Sequence, residues 1–413
     1  MPENWKTYKL EDLVSKLGDG IHGTPKYSDY GEYHFINGNN LVDGRIVIKP
    51  ETKRVSKEEY LKHQRELNER TLLVSINGTI GKTAYYQGEK VMLGKSACYF
   101  NVKEGVNKKF IKQVISSKYF LDYLESNYTG SVIKNVSLKS MRELPINLPS
   151  LGEQKSIATI LSALDDKIEL NLQMNKTLEE MAMALYKHWF VDFGPFQNGE
   201  FVDSELGEMP KGWKNVILGD LINLNPRLSV AKGSLASFVE MKVLPIDVMS
   251  VSDVAQKEFK GGAKFQNGDT LFARITPCLE NGKTAFVDFL ESGEIAFGST
   301  EFLVMRAKEG VSKYWTYCLA RNTNFRNFAI STMVGTSGRQ RVQNDPFLSY
   351  EVPQPPKKIF DSFSEIAEPW FKQIRLNTIE NQTLTQLRDT LLPKLISGEV
   401  RVKDAEKTLS EVL

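Results

Sequence analysis

Two long stretches of the chain carry the apolar spacing of an α-helix. Residues 153–190 and 359–396 contain no glycine, and their only prolines are Pro369 and Pro393. In each stretch, mostly apolar residues recur at alternating steps of four and three positions. This spacing is typical of helices that pack at a shallow angle in a coiled coil. We call these two rows the seam. The first row is Ile157, Leu161, Leu164, Ile168, Asn171, Asn175, Leu178, Ala182, Leu185 and Trp189. The second row starts at Phe363 and, in the same steps, reaches Leu395.

Two asparagines interrupt the seam at equivalent places in both stretches: Asn171 and Asn175 in the first, Asn377 and Asn381 in the second. A buried asparagine weakens a helix interface but fixes its register, because a slipped helix leaves the amide without a partner. The alternative is that these side chains lie at the solvent edge of ordinary helices. Their occurrence in both stretches favours the register role.

The chain repeats itself. "NWKTYKLEDL" from Asn4 matches "GWKNVILGDL" from Gly212, and "IELNLQMNKTL" from Ile168 matches "IRLNTIENQTL" from Ile374. Between these segments, short β-rich runs alternate with Gly/Asn turns, a pattern that predicts a mixed α/β domain ahead of each helix. The predicted divisions are a first domain (1–150), a first long helix (151–195), a second domain with a leading linker (196–356), and a second long helix with a C-terminal tail (357–413).

The stretch "VSINGTIGKTAYY" tests a nucleotide-binding interpretation. A phosphate loop needs G-x-x-x-x-G-K-[ST] followed by a helix, but Ile76 stands where the first glycine belongs, and Pro277 stands there in the second copy. Both copies of GKT lie between β-rich runs, which predicts a hairpin in each domain. We therefore interpret the motif as a Gly-rich hairpin that presents a lysine, Lys82 in one copy and Lys283 in the other.

Composition narrows the classes of protein further. The chain has 413 residues, 41% hydrophobic and 25% charged, which predicts more than one domain of ordinary soluble composition. No apolar run has the length of a signal peptide or membrane span, and three scattered cysteines without C-x-x-C spacing favour a cytoplasmic location. The four histidines show no metal-ligand spacing, and no catalytic constellation is evident. Residues 1–150 hold 23 basic and 17 acidic side chains, which suits either a polyanion partner or a solvated surface.

Several motifs, taken in order, resemble one family. They are "GDGIHGTPKY", "FINGNNLVDG", "SINGTIGKTA", "LPSLGEQKSIATILSALDDKIELNLQMNKTLEEMA", "LYKHWFVDFGPF" and "LRDTLLPKLISGEVRV". Together with the internal repeat, they resemble the specificity subunits of type I restriction–modification systems over essentially the whole chain. The resemblance implies an α+β fold with two pseudo-repeated target-recognition domains, separated by two long antiparallel helices that form a coiled coil.

The resemblance also implies a function. Such a chain would recognise a bipartite, asymmetric target in double-stranded DNA and dock methyltransferase (M) and restriction/translocase (R) subunits, without catalysis and without a membrane. S-adenosylmethionine, ATP and Mg would belong to those partners, so this chain would carry no cofactor or metal. The second copy has "NLNPRLSVAKGSLASFVEM" and no counterpart of "GIHGTPKY", so its contacts with DNA would use different loops. The alternative class is a coiled-coil scaffold without DNA readout. A nucleotide-binding enzyme is disfavoured by the missing glycine.

Polar and basic residues beside glycines are the candidates for DNA contact, because such side chains reach base edges and phosphates. For each of them, an ordinary solvated turn residue is the alternative. The candidates in the first copy are Thr24, Lys26, Tyr27, Asn37, Asn39, Asn40, Asn77, Thr79, Lys82 and Lys134. Those in the second copy are Arg274, Thr276, Lys283, Arg339, Gln340 and Arg341. "TSGRQRVQ" is the most specific segment, since Arg pairs with guanine and Gln with adenine.

Overall fold

The structure is a computed structural model that describes residues 2–42, 44–126, 135–251, 253–336, 338–405 and 407. The chain divides into two compact units. The first unit combines Met1–Lys167 with Thr383–Leu413, and the second unit is Ile168–Gln382. Each of the two long helices therefore contributes one segment to each unit.

The first unit is built on small sheets. Its strands are β1 (Lys6–Lys9), β2 (Val14–Asp19), β3 (Tyr33–Ile36), β4 (Leu41–Val42), β5 (Arg45–Ile46), β6 (Arg54–Val55), β7 (Thr71–Ser75), β8 (Thr83–Tyr85), β9 (Val91–Leu93), β10 (Ala97–Val102) and β11 (Pro145–Leu148). Its helices are α1 (Leu10–Leu13), α2 (Lys57–Lys62), α3 (Lys108–Ile115), α4 (Lys118–Ser126), α5 (Leu138–Glu143) and the start of α6 (Leu151–Phe190).

The main sheet of this unit has the order β2-β10-β7-β8, and β6-β3-β9 form a second sheet. Strand β7 is buried at every residue, which explains why "TLLVS" reads as a continuous run rather than an alternating one. Phe100 of β10 and Phe110 of α3 lie in one core with Leu391 and Leu395. The last turns of the second long helix are therefore part of the core of the first unit.

The second unit continues the strand series. Its strands are β12 (Phe201–Val202), β13 (Met209–Pro210), β14 (Lys214–Ile217), β15 (Ile222–Leu224), β16 (Leu235–Val239), β17 (Ala255–Glu258), β18 (Ala263–Phe265), β19 (Thr270–Ala273), β20 (Thr284–Phe286), β21 (Ala296–Gly298), β22 (Phe302–Ala307), β23 (Met333–Val334), β24 (Arg341–Val342) and β25 (Glu351–Gln354). The further helices are α7 (Leu218–Leu221), α8 (Lys313–Arg321), α9 (Thr323–Ser331), α10 (Asn344–Leu348) and α11 (Lys357–Ser397).

The main sheet of the second unit has the order β15-β22-β19-β20, which follows the pattern of β2-β10-β7-β8. A further sheet has the order β17-β16-β21-β18. The predicted GKT hairpins are confirmed in both units, because β7 pairs antiparallel with β8 and β19 pairs antiparallel with β20. Neither hairpin leads directly into a helix, so neither has the strand-to-helix turn of a phosphate loop.

Helices α6 and α11 contact each other within each unit, and in the second unit earlier residues of α6 contact later residues of α11. In the second unit Asn175 bonds to Asn377 and the Ile168 carbonyl accepts from Asn381. In the first unit Asp165 bonds to Arg388. All the seam positions are buried or half-buried, as the four-three spacing predicts.

Two possible features do not occur in the part of the chain that the structure describes. None of its helices combines the length and the apolar character that crossing a membrane requires. Nor do its histidine, cysteine and carboxylate side chains gather into a group of three or more that could hold a metal ion.

Candidate nucleic-acid interface

The hairpin between β7 and β8 is organised by Ser75, the last residue of β7. Its hydroxyl donates to the Thr79 carbonyl and accepts from the Lys82 backbone N–H at 3.0 Å. The Gly81 N–H donates to the Ser75 carbonyl at 3.0 Å, and its φ of +83° is a conformation that glycine adopts without strain. The side chains of Thr79 and Lys82 are exposed, and the Lys82 ammonium has no partner among the described residues. This turn therefore presents a free cation.

A second polar turn follows β3 and packs against this hairpin. A Cβ on Gly38 would lie 2.8 Å from the Cβ of Ser75, so the close approach needs glycine. The Ser96 hydroxyl accepts from the Gly38 N–H at 2.9 Å and donates to the Asn37 amide oxygen at 2.9 Å. Asn39 is exposed between them. The two turns that carry most of the first unit's candidates thus lie side by side.

The loop between β2 and β3 carries three more candidates, Thr24, Lys26 and Tyr27, all of them exposed. The backbone N–H of Lys26 donates to the Glu59 carboxylate at 3.0 Å, and this bond is the main cause of a lowered pKa of Glu59. The Tyr27 ring packs edge-on against Phe35, with 5.9 Å between ring centroids. The loop is therefore anchored through its backbone and one ring, which leaves the Lys26 ammonium in solvent.

The corresponding hairpin of the second unit holds its lysine differently. Lys283 is half-buried, and its ammonium donates to the carbonyls of Met241 at 2.6 Å and Lys242 at 3.1 Å. The prediction that this hairpin presents its lysine is wrong for the second unit, because the ammonium finds two acceptors in the segment after β16. Lys283 instead joins the hairpin to the segment after β16.

Two candidates in the loop of the second hairpin, Arg274 and Thr276, contact the later segment that carries Gln340 and Val342. The Thr276 hydroxyl accepts from the Gln340 backbone N–H at 3.1 Å, and the Arg274 guanidinium donates to the Val342 carbonyl at 2.8 Å. The Nε–H of Arg274 is buried and has no acceptor within the described part of the chain. The segment "TSGRQR" is thus fastened to the strand end that carries Arg274.

The two arginines of "TSGRQR" differ in their freedom. Arg341 forms a bidentate ion pair with Glu301, with N–O distances from 2.7 to 2.9 Å, and this hydrogen bonding raises the pKa of its guanidinium. Arg339 is exposed and makes no side-chain bond to any residue that the structure describes. Arg339 is therefore the more available of the two for a ligand.

Two further candidates for DNA contact, Asn40 and Thr276, are enclosed rather than exposed. Asn40 is only 4% exposed, and its amide donates to the Val47 carbonyl at 2.9 Å and the Thr52 hydroxyl at 3.1 Å. Thr276 is 8% exposed. The Asn40 amide is bonded within its own turn region, and the Thr276 hydroxyl is bonded to the distant Gln340 backbone, so both are less accessible to a ligand than the exposed candidates. Lys134 lies outside the described residues.

The four seam asparagines contact residues of the facing helix. The Asn171 amide is fully buried and donates to Glu380 at 2.7 Å and to Asn381 at 2.9 Å. The Asn377 amide donates to the Asn175 amide oxygen at 2.8 Å. These side chains bond across the helix pair rather than to solvent at its edge.

Cationic side chains that do not stand beside glycines were not predicted from the sequence. Arg326 of α9 lies against the second hairpin, because a Cβ on Gly282 would come 2.0 Å from its Nη1 atom. Burial and the neighbouring Arg321 lower the pKa of Arg326, which has no acidic partner among the described residues. Arg227 and Lys264 line a groove together with Arg274. No local sequence signal marks Arg326, whereas Arg227 follows an Asn-Pro turn in "NLNPRL".

The architecture and these turns define a class of protein, an α+β protein that presents polar and basic turns from two units. Residues 2–180 match the family model described as the type I restriction modification DNA specificity domain. The type I restriction enzyme MjaIX specificity subunit from Methanocaldococcus jannaschii is 28% identical, over 98% of this chain and 95% of that protein. The HindI specificity subunit from Haemophilus influenzae is 25% identical, over 69% of this chain and 75% of that protein.

A solved structure shares the fold. The crystal structure of a type I restriction–modification S subunit from M. genitalium matches with a TM-score of 0.57 at 15% identity, over 95% of this chain and 96% of that one. At this identity the similarity shows the fold. The family model over residues 2–180 and the sequence relatives show that the chain is similar to the specificity subunits of type I restriction–modification systems.

Proposed function

We propose that the chain is the DNA sequence-recognition subunit of a type I restriction–modification enzyme. Each of its two units reads one half of a bipartite, asymmetric target in double-stranded DNA. The observation that carries the proposal is the pair of GKT hairpins, each on the last strand pair of a sheet with corresponding strand order. The same frame carries a free Lys82 in one unit and a bound Lys283 in the other. Similar frames with different exposed side chains are suited to two different half-sites.

The contacts with DNA follow from the side chains that remain available. Arginine and lysine pair with phosphates or guanine, and asparagine and glutamine pair with adenine. For the first unit we propose the exposed side chains of the β2–β3 loop, the turn after β3 and the β7–β8 hairpin, namely Thr24, Lys26, Tyr27, Asn39, Thr79 and Lys82, together with half-buried Asn37 and Asn77. For the second unit we propose Arg274, Arg339 and Gln340, with Arg341 available if its ion pair opens.

The two recognition domains are proposed to be pseudo-repeats, with residues 1–150 and 196–356 as their bounds. The long helices, 151–195 and 357–413 with the tail, separate them as an antiparallel coiled coil. Bonds such as that between Asn175 and Asn377 support a fixed register, since sliding one helix past the other separates these amides.

The chain is proposed to be non-catalytic and to work with methyltransferase (M) and restriction/translocase (R) subunits in the cytoplasm. S-adenosylmethionine, ATP and Mg are cofactors of those partners and not of this chain. An exposed apolar strip on α6 consists of Leu170, Met174 and Met181, which are 53%, 40% and 43% exposed. Exposed apolar strips of this kind are typical of surfaces that bind a partner protein. We assign this strip to the docking of a methyltransferase subunit.

Methylation-site sequencing tests the proposal. The chain is expressed with its methyltransferase subunit in a host that lacks adenine methylation, and the modified sites are mapped. We expect a split, asymmetric adenine motif that disappears when the chain is omitted. If the methylated motif is unchanged without the chain, the protein is a scaffold without DNA readout.

A further inference from the structure

A groove in the second unit has the chemistry of an anion site. It has a volume of about 590 Å³, and its lining includes residues 225–228, Lys264, Arg274 and Thr300. We call it the NPRL groove, after residues 225–228. Arg227, Lys264 and Arg274 give its lining three positive charges, and none of the described lining residues is acidic.

The position of residues 225–228 in the groove is set by a left-handed turn at Asn225. Asn225 has φ of +50°, a conformation that asparagine tolerates better than most residues. Its N–H donates to the Val304 carbonyl at 2.8 Å and its amide oxygen accepts from the Val304 N–H at 3.0 Å. The turn therefore ends the pairing of β15 with β22 and leads the chain into Pro226. Arg227 follows as an exposed side chain with no partner among the described residues.

The other two cations of the groove, Lys264 and Arg274, are held by hydrogen bonds. The Lys264 ammonium donates to the Leu228 carbonyl at 2.8 Å and lies 5.4 Å from the centroid of the Phe259 ring. It retains donors beyond that single bond, since an ammonium has three. Arg274 is anchored to the Val342 carbonyl at 2.8 Å, and its buried Nε–H has no acceptor within the described chain. Two cations are thus pre-positioned with hydrogen-bonding capacity left over.

We propose that the NPRL groove binds a phosphate of the DNA backbone and so positions the second unit on its half-site. This inference rests on the proposed function and names the surface that replaces the missing "GIHGTPKY" loop. A phosphate is favoured over a base edge because it carries a full negative charge, which offsets the mutual repulsion of three cations. A base edge offers acceptors but no net charge.

The test measures DNA binding by the full chain in complex with its methyltransferase subunits. The probe is a duplex that carries the target found by methylation-site sequencing, and the dissociation constant is followed over a series of KCl concentrations. Arg227→Gln is the deciding variant, because this exposed side chain makes no bond that folding needs. Arg274→Gln is the second variant. Lys211→Gln is the control, since Lys211 is an exposed cation of the same unit that lines a different cavity.

We expect Arg227→Gln to weaken binding about tenfold on the target and on a scrambled duplex alike. It should also lower the slope of log K against log [KCl] by about one, as the loss of one phosphate contact does. Lys211→Gln should change neither quantity. A single methylphosphonate in the second half-site should weaken the wild-type complex, yet leave the Arg227→Gln complex unaffected at that position. Inorganic phosphate at millimolar concentration should not compete, because the site is used as part of a larger contact.

Other results overturn the proposal. An unchanged slope for Arg227→Gln in a folded complex that binds the target shows that the groove holds no phosphate, while DNA recognition stands. A loss of discrimination at one base pair with an unchanged slope makes Arg227 a base-reading residue instead. Strong competition by inorganic phosphate identifies a free-phosphate site. Failure of the wild-type complex to bind the methylated motif contradicts the proposed function itself.

Discussion

The two hairpin lysines differ in what surrounds each ammonium. Lys82 is exposed without a partner in the described chain, whereas Lys283 is bound to two carbonyls. We predict that Lys82→Gln weakens DNA binding and lowers the salt slope by about one, with no change in thermal stability. Lys283→Gln should lower stability by about 1–2 kcal/mol, because it leaves two acceptors without their charged donor. Salt-dependent binding and calorimetry on both variants measure these effects.

The comparison is informative because each variant controls for the other. Both remove one positive charge from the same motif, so a general charge effect would move the two salt slopes equally. If Lys82→Gln leaves the slope unchanged, Lys82 is an ordinary solvated turn residue. If Lys283→Gln is as stable as the wild type, the contacts of Lys283 with the two carbonyls do not contribute to the free energy of unfolding.

Asp288 makes stability depend on pH. Burial raises the pKa of its carboxyl from 3.8 to about 6, while Arg375 opposes the shift. Because the folded chain holds this proton more tightly than the unfolded chain, the associated stabilisation is complete below about pH 4 and is lost as the pH rises through about 6. We predict that Asp288→Asn raises the midpoint of thermal unfolding at pH 8, by the equivalent of about 3 kcal/mol, and changes it little at pH 4.

Asp269→Asn is the matched control for that experiment. Its carboxylate forms a bidentate pair with Arg306, with both N–O distances at 2.7 Å. Removing this charge strands the guanidinium, so we expect a lower unfolding midpoint at pH 8, by the equivalent of about 3 kcal/mol. Parallel pH profiles for the wild type and Asp288→Asn would contradict the role assigned to Asp288.

At the scale of the element, the polar layer between α6 and α11 contains a pair of asparagines, Asn175 and Asn377, that bond to each other. Asn175 and Asn377 are 8% and 3% exposed and share one hydrogen bond of 2.8 Å. Asn175→Leu alone leaves the Asn377 amide without that acceptor, which should cost about 1–3 kcal/mol. The double variant Asn175→Leu with Asn377→Leu removes both partners together, so we predict that it regains most of this loss. Denaturant unfolding of the wild type, both single variants and the double variant gives the coupling energy.

A strictly additive result would show that the two asparagines act independently. Register is a separate readout from stability. Spin labels on the two helices of the double variant should report a broader distribution of distances than in the wild type, since two leucines pack in more than one register. An unchanged distribution would assign the register to the other seam residues.

For the whole molecule, the proposal of two readers predicts modular specificity. Residues 1–150 are replaced by the corresponding segment of the MjaIX specificity subunit, and residues 151–413 are kept. The first unit also draws core residues such as Leu391 and Leu395 from α11, so some loss of stability is expected. Methylation-site sequencing should find one half of the target changed and the other half intact. Exchange of residues 196–356 should alter the opposite half. The two-reader proposal fails if either exchange changes both halves or neither.

The sequence was sufficient for the features that depend on neighbouring residues. The four-three spacing of apolar residues predicted both long helices, because helical periodicity is a local property. The absence of a glycine at Ile76 and Pro277, together with β-rich runs on both sides, predicted two hairpins instead of a phosphate loop. The internal repeat and the order of the motifs indicated the resemblance to specificity subunits for a similar reason. Both can be recognised from the order of residues without knowledge of their spatial contacts.

The tertiary structure was needed wherever the environment of a side chain is made by distant segments. The Lys283 ammonium donates to a carbonyl 42 residues away, and the Arg274 guanidinium donates to one 68 residues away. The residues next to them in the chain therefore do not predict these bonds. Asn40 and Lys82 both stand in polar, Gly-containing turns, yet one is enclosed and the other is free. The NPRL groove joins segments that surround residues 225, 264, 274 and 300. Burial and charge clustering arise from this convergence in space, which a one-dimensional pattern does not contain.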